Sequence, residues 1–167
     1  MQTVSIRHPF PALYAADSRI LILGSFPSVK SREQKFFYGH PQNRFWRVLS
    51  ALLGSDTPQT VEEKRAFLLA NRIALWDVIA SCDITGSSDA SIRNAVPNDL
   101  TPILETASVR QIFTNGATAH RLYRKYIYPL TGREDICLPS TSPANAAFSL
   151  EKLTREWQVV KDALEQT

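Results

Sequence analysis

The run Ile20-Leu-Ile-Leu-Gly24 is apolar throughout and does not alternate. A strand with one wet face alternates apolar and polar side chains. A run without alternation is buried on both faces, as a strand is inside a parallel sheet with helices on either side. The run stops in Gly24-Ser-Phe-Pro-Ser28, which is turn chemistry. Three more segments read as strands: Ile73 to Ile79, Val109 to Thr114 and Asp135 to Leu138.

Helical segments separate them. Phe45, Val48, Leu49, Leu52 and Leu53 fall at the i, i+3, i+4, i+7, i+8 spacing of one helix face, closed by Gly54. Thr60-Val-Glu-Glu63 is a capping box opening a helix to about Ala70, with Asn71 as its C-cap. A short helix follows from about Asp99 to Ala107. Asn115-Gly116 turns into another, which runs to about Ile127 and stops before Pro129. The last starts near Ser149, with Leu150, Leu153, Trp157, Val160 and Leu164 as its apolar stripe. The remaining stretches read as non-regular. Residues 1–18 contain Pro9 and Pro11 and place His8 at the surface. Ser28 to Lys35 is a polar loop, and Ser81 to Pro97 is a polar connection through Gly86-Ser-Ser-Asp89.

Strands alternating with helices define an α/β chain with a parallel sheet and helices on both faces. Right-handed crossovers bring the C-terminal ends of all strands to one edge. Gly24–Ser28, Trp76–Asp77, Thr114–Gly116 and Pro139–Asn145 therefore meet there, and ligands of open α/β sheets bind at that edge. Tyr38-Gly-His-Pro-Gln-Asn-Arg-Phe-Trp46 leads into the helix at Phe45, which puts Asn43 at or next to its N-cap.

A length of 167 residues suits one domain with one substantial core. The net charge of +3 permits nucleic-acid binding without demanding it. Cys82 and Cys137 lie far apart and no Cys-x-x-Cys occurs, which leaves no zinc or four-cysteine cluster site. Both cysteines read as small buried residues in a reducing compartment. No apolar run reaches membrane-span length and no signal-peptide core precedes the first strand, so the expectation is a cytoplasmic protein.

The edge segments are rich in Ser, Asn, Pro and Gly. Small hydroxyls and free backbone N–H groups can hold phosphate oxygens without bulk, although the same residues are ordinary loop and cap residues. His40, between Gly39 and Pro41, reads as structural, and His120 as pairing with surface residues on its helix. Nucleotide-binding glycine motifs and a Gly-x-Ser-x-Gly elbow are absent. Asp77 ends a buried strand after Trp76. A carboxylate there costs free energy unless partnered, so it either caps a loop or reads an N–H of a ligand.

Gly24-Ser-Phe-Pro-Ser28, Tyr38-Gly-His-Pro-Gln-Asn-Arg-Phe-Trp46 and Pro139-Ser-Thr-Ser-Pro-Ala-Asn145 resemble, in order and spacing, the uracil-DNA glycosylase superfamily. The likeness is greatest to its mismatch-specific and thymine branch and to the hypoxanthine (deoxyinosine) DNA glycosylases, and it spans roughly Arg19 to Asn145. It implies a three-layer α/β/α sandwich around a four-stranded parallel sheet. It also implies hydrolysis of the N-glycosidic bond of a damaged base, with no metal or organic cofactor. The partner is DNA containing a deaminated base, engaged by a monomer associated with the nucleoid in a prokaryote.

Two departures narrow the activity. The third residue of the first motif, commonly an Asp or Asn that positions water, is Phe26. The His that opens the last motif in uracil-specific enzymes is Leu138. This pattern is similar to the hypoxanthine branch, in which the Asn matching Asn43 is the important polar residue. Tyr38 matches the aromatic on which the flipped base stacks, with Phe26 on its other side. Pro143, Ala144 and Asn145 fill the gap left in the duplex. Ser25, Ser28, Ser140 and Ser142 hold phosphates. Asp77, acceptor-only when ionised, faces N1–H of hypoxanthine, where adenine has a lone pair. The O6 donor is a backbone N–H of Phe26–Ser28 or the Asn115 amide. A G·U or G·T mismatch glycosylase and a catalytically silent binder of damaged DNA are the rival readings.

Overall fold

The structure is a computed structural model that describes residues 2–166; Met1 and Thr167 lie outside the described residues. Its centre is a parallel sheet in the order β3 (Ile73–Asp77), β2 (Ile20–Gly24), β6 (Gln111–Asn115), β7 (Asp135–Leu138). The four expected strands are present, but the second ends at Asp77, with Ile79 starting a strand of another sheet, and the third begins at Gln111. β2 lies inside the sheet, in register with β3 from Ile20↔Ile73 to Gly24↔Asp77 and with β6 from Ile20↔Gln111 to Leu23↔Thr114. All five of its residues are buried.

The absence of alternation in β2 has the predicted cause. Ile20 and Ile22 belong to one core, with Leu75, Phe113, Leu49, Trp157 and Val160. Leu21 and Leu23 belong to the other, with Ala74, Ile112, Ile103, Leu122 and Ile127. The first core carries α2 (Phe45–Leu53), α7 (Leu150–Glu156) and α8 (Gln158–Glu165), while α3 (Val61–Ala70) packs beside β3. The second carries α4 (Thr101–Thr106) and α5 (Ala117–Leu122). The architecture is the expected α/β/α sandwich. The capping box of α3 forms as read, Thr60 and Glu63 bonding reciprocally.

The second face also holds a three-stranded antiparallel sheet that the sequence reading missed: β1 (Thr3–Arg7), β4 (Ile79–Thr85) and β5 (Arg93–Pro97), in the order β1-β4-β5. The N-terminal segment is thus irregular only after Arg7. It pairs with β4 from Thr3↔Thr85 to Arg7↔Ser81. The polar connection from Ser81 to Pro97 is a hairpin closed by a single 3-10 turn at Asp89–Ser91. The two flanking strands are polar because they lie on the outside, Ile6 being the most buried residue of β1 and only half-buried, whereas β4 between them buries Ile79, Cys82 and Ile84.

Other boundaries also moved. The supposed loop after Ser28 contains α1 (Val29–Gln34), with Ser28 as a true N-cap accepting from the Ser31 N–H. The helix expected to stop before Pro129 continues. A π turn over Tyr123–Ile127 shifts the register, and α6 (Tyr128–Thr131) takes Pro129 in its first turn, where no backbone donor is needed. The last helix is broken at Trp157, whose indole N–H donates to the Pro139 carbonyl. His120 pairs with Asp135, whose side chain is fully buried, rather than with surface residues. Cys82 is buried but Cys137 is exposed. Among the described residues no helix is long and apolar enough to cross a membrane.

Candidate active site

Past the C-terminal ends of the parallel strands lies a cleft of about 640 Å³, within the roughly 300–1,000 Å³ usual for small-ligand sites. Every residue nominated from the sequence lines it except Asn145. Asn145 instead braces the loop from behind: its Nδ2 donates to the Ser140 carbonyl, and its own carbonyl accepts from Arg44.

The floor is made where β2 and β3 end side by side. Gly24 pairs with Asp77, and a Cβ on Gly24 would stand 2.5 Å from Asp77 Oδ1 and 3.1 Å from the Tyr38 hydroxyl. Both polar atoms therefore converge on the space that glycine leaves empty. Asp77 is buried, and its other oxygen, Oδ2, lies 2.7 Å from Nε2 of His8. The reading of His8 as a surface residue is overturned: its side chain is only 3% exposed. The antiparallel register carries the chain from Arg7 opposite Ser81 into the site, and the His8 N–H donates to the Ala80 carbonyl at 2.7 Å.

Tyr38 stands in the left-handed region with φ 52°, unusual for a side chain of its size. Two contacts hold it. Its ring stacks on Phe45 at 4.0 Å between centroids, and its carbonyl accepts from the Trp46 indole. With Phe45 covering one ring face, the opposite face is the one left for a ligand. The hydroxyl is buried without a hydrogen-bond partner. Burial, and next the charge of Asp77, push its pKa up, against a smaller opposing effect of Asn115, so it remains a neutral phenol.

Asn43 lies just before α2, whose N-cap position is Arg44. Asn43 Oδ1 accepts from the Phe45 N–H at 2.9 Å. That bond fixes which end of the amide is oxygen and leaves Nδ2 as the end available to the cleft. Asn115 is held to Thr141 at both ends, Nδ2 donating to Oγ1 and Oδ1 accepting from the backbone N–H. It therefore latches the last loop to β6 while lining the cleft. Phe26 is 7% exposed and packs edge-on to His8 at 5.8 Å, while still lining the cleft.

The serines divide into two kinds. Ser28 caps α1, and Ser25 donates to Asp89 at 2.8 Å, so both have structural partners. Ser140 and Ser142 use Oγ to accept from the N–H groups of Ser142 and Ala144. Their hydroxyl hydrogens have no acceptor among the described residues.

Three site residues escaped the sequence reading. His8 gave one weak signal, the alternation of Val4 and Ile6 just before it. Arg44 was visible in the motif but not its task. Its backbone N–H donates to the Thr141 carbonyl, and its guanidinium reaches the carbonyls of Ser142, Asn145 and Phe148, clamping the last loop onto the start of α2. Asp89 gave no signal at all. It sits at an exposed turn with its carboxyl crowded against Ser25, and burial of that carboxyl raises its pKa, assisted by the charge of Asp77.

Fold and cleft together define a three-layer α/β/α protein whose ligand site lies at the carboxyl ends of its parallel strands. A family model described as the uracil DNA glycosylase superfamily matches residues 11–164. A protein of Methanosarcina acetivorans named hypoxanthine DNA glycosylase is 36% identical over 157 residues, covering 93% of this chain and 98% of its own. A protein of the same name from Methanosarcina barkeri is 32% identical over 138 residues, covering 81% and 86%. The solution NMR structure of a Methanosarcina acetivorans protein, provisionally named a uracil DNA glycosylase, superposes with a TM-score of 0.82 at 35% identity, covering 98% of this chain and all of that one. The chain belongs to the uracil DNA glycosylase superfamily.

Proposed function

We propose that this protein is a monofunctional DNA glycosylase that flips hypoxanthine out of deoxyinosine-containing DNA and hydrolyses its N-glycosidic bond. The observation that carries the reading is the buried Asp77 carboxylate at the cleft floor, where an extruded base would end. Hypoxanthine presents N1–H and O6 on the edge where adenine presents a lone pair and an amino group. An acceptor-only group placed opposite N1 accepts the N1–H of hypoxanthine but meets a lone pair at N1 of adenine, at a cost of about 1–3 kcal/mol or more for a charge. The two relatives named for hypoxanthine support the same substrate.

Each remaining part has a task in that reaction. Extrusion costs a few kcal/mol, least for a poorly paired base. The Ser140 and Ser142 hydroxyls, on the loop that Arg44 and Asn115 hold, grip the flanking phosphates, and Pro143 and Ala144 fill the vacated place in the duplex. The base stacks on the free face of Tyr38, with Phe26 opposite; such stacking contributes roughly 1–3 kcal/mol per base. The bond from C1′ to the base breaks with its electron pair passing to the base. Water adds to C1′, and one of its protons ends on the released hypoxanthine. Asn43 Nδ2 donates to the departing base, where negative charge develops, or the second lone pair of Oδ1 accepts from the attacking water and positions it.

The test is base release from duplexes carrying inosine, uracil or thymine at one site. Release of hypoxanthine in clear preference is expected. Preferential release of uracil or thymine overturns the substrate assignment, and tight binding without release of any base makes the protein a silent damage binder.

A further inference from the structure

We propose that His8 is a positioning residue for base recognition: it holds one oxygen of Asp77 so that the other is presented to the bound base. This rests on the reading that Asp77 accepts the N1–H of hypoxanthine. Three observations carry it.

The first is the hydrogen-bond order around the imidazole. Nδ1 accepts from the Phe10 N–H at 3.4 Å, so the ring hydrogen belongs on Nε2, which lies 2.7 Å from Asp77 Oδ2. The bond therefore runs from His8 to Asp77, and Oδ2 is occupied. The second is the direction of Oδ1, which is the atom facing the empty side of Gly24 in the cleft floor. A carboxylate that is tied at one oxygen and buried to 6% side-chain exposure cannot offer either oxygen at random. Its backbone is fixed as well, since the Asp77 carbonyl accepts from Asn98 Nδ2 at 2.8 Å.

The third is the way His8 is held. Phe10 and Trp76 each lie 4.5 Å from its ring, with Phe26 and Phe37 beyond them. These rings leave it no alternative partner, and the antiparallel pairing of Arg7 with Ser81 delivers it at fixed height. A site that reads a base edge needs its acceptor held by a supporting shell, because small misplacements at a reacting or recognition centre are costly. In this protein the support comes from a different sheet than the reader.

The experiment compares His8→Gln with His8→Asn, using single-turnover release of hypoxanthine at saturating enzyme. A Gln amide nitrogen reaches the place of Nε2, whereas an Asn amide reaches only that of Nδ1. His8→Gln is expected to stay within a few-fold of wild type. His8→Asn is expected to lose on the order of ten- to a hundredfold. In an Asp77→Asn background the His8→Asn change should have no further effect, because the two act as one unit. Melting temperatures of the two His8 variants are read alongside; a rate loss that follows the melting temperature in both variants overturns the proposal in favour of a packing role. Equal rates for His8→Gln and His8→Asn also overturn it, as do losses at His8 and Asp77 that multiply. Failure of the wild-type protein to release hypoxanthine overturns the functional reading and this inference with it, so the two failures are distinct.

Discussion

The two sheets of this molecule meet at one carboxylate and differ in how they are covered. The parallel sheet is held by burial: every residue of β2 is enclosed, with a core on each side. The antiparallel sheet is buried on one side only, where Ile79, Cys82 and Ile84 of β4 join the second core, and polar side chains bond across its outer side. Thr3 bonds Thr85, while Ser5 and Asn94 both donate to Asp83. The first fixes where the backbone of Asp77 stands. The second, through His8, fixes how the carboxylate of Asp77 is turned. Stability and precision at the site thus come from different layers, and substitutions can separate them.

The largest effect should come from the parallel side, where the proposed reacting group, Asn43, stands at the start of a buried helix. Asn43→Asp keeps the acceptor for the Phe45 N–H and removes the Nδ2 donor. If that donor meets developing charge, single-turnover release should fall about 10²- to 10³-fold with the melting temperature nearly unchanged. Asn43→Ala removes both groups and should lose about 1 kcal/mol of stability as well. Unchanged release in Asn43→Asp would reduce Asn43 to a helix cap.

Gly24→Ala comes next. The added carbon would stand 2.5 Å from Asp77 Oδ1, in a floor with no slack. Displacing that oxygen should lower hypoxanthine release by on the order of a hundredfold, with a packing cost of about 1–3 kcal/mol in chemical denaturation. A large stability loss with normal release would show that burial, and not the placement of Asp77, is what Gly24 serves.

The smallest effects belong to the antiparallel sheet and have opposite signs. Hydrogen bonds from Ser5 and Asn94 lower the pKa of Asp83, so its contribution is present above its unfolded pKa and is lost as pH falls through the lowered value. Burial raises the pKa of Asp89, so its contribution is complete below the unfolded pKa and is lost as pH rises through the raised value. At pH 7, Asp83→Asn should therefore lower the melting temperature slightly and Asp89→Asn should raise it. Both differences should shrink as the pH is brought down through the carboxylate range. Melting curves at several pH values test this, and shifts of the same sign for both variants would break the contrast.

The sequence alone determined what depends on local pattern and on burial. An unbroken apolar run marked β2, because only a strand covered on both faces has no use for polar residues, and shorter apolar runs marked its neighbours. Helical spacing and the Thr60–Glu63 capping box marked the helices. Once the strands were known to be parallel, topology alone brought Gly24, Asp77, Asn115 and the loop after Leu138 to one edge. The antiparallel sheet left little trace, because its flanking strands are exposed and polar, and their pattern is hard to tell from that of a loop. Nor could spacing reveal what each polar group is bonded to. Nothing near Asn115 says that Thr141 holds both ends of its amide, and nothing near Asn43 says that Phe45 takes its oxygen and leaves its nitrogen. His8 and Asp77 are 69 positions apart in the chain and 2.7 Å apart in space. Such a pairing is decided only when two sheets pack, since the hydrogen bond that orients Asp77 has no local energetic signature in either segment.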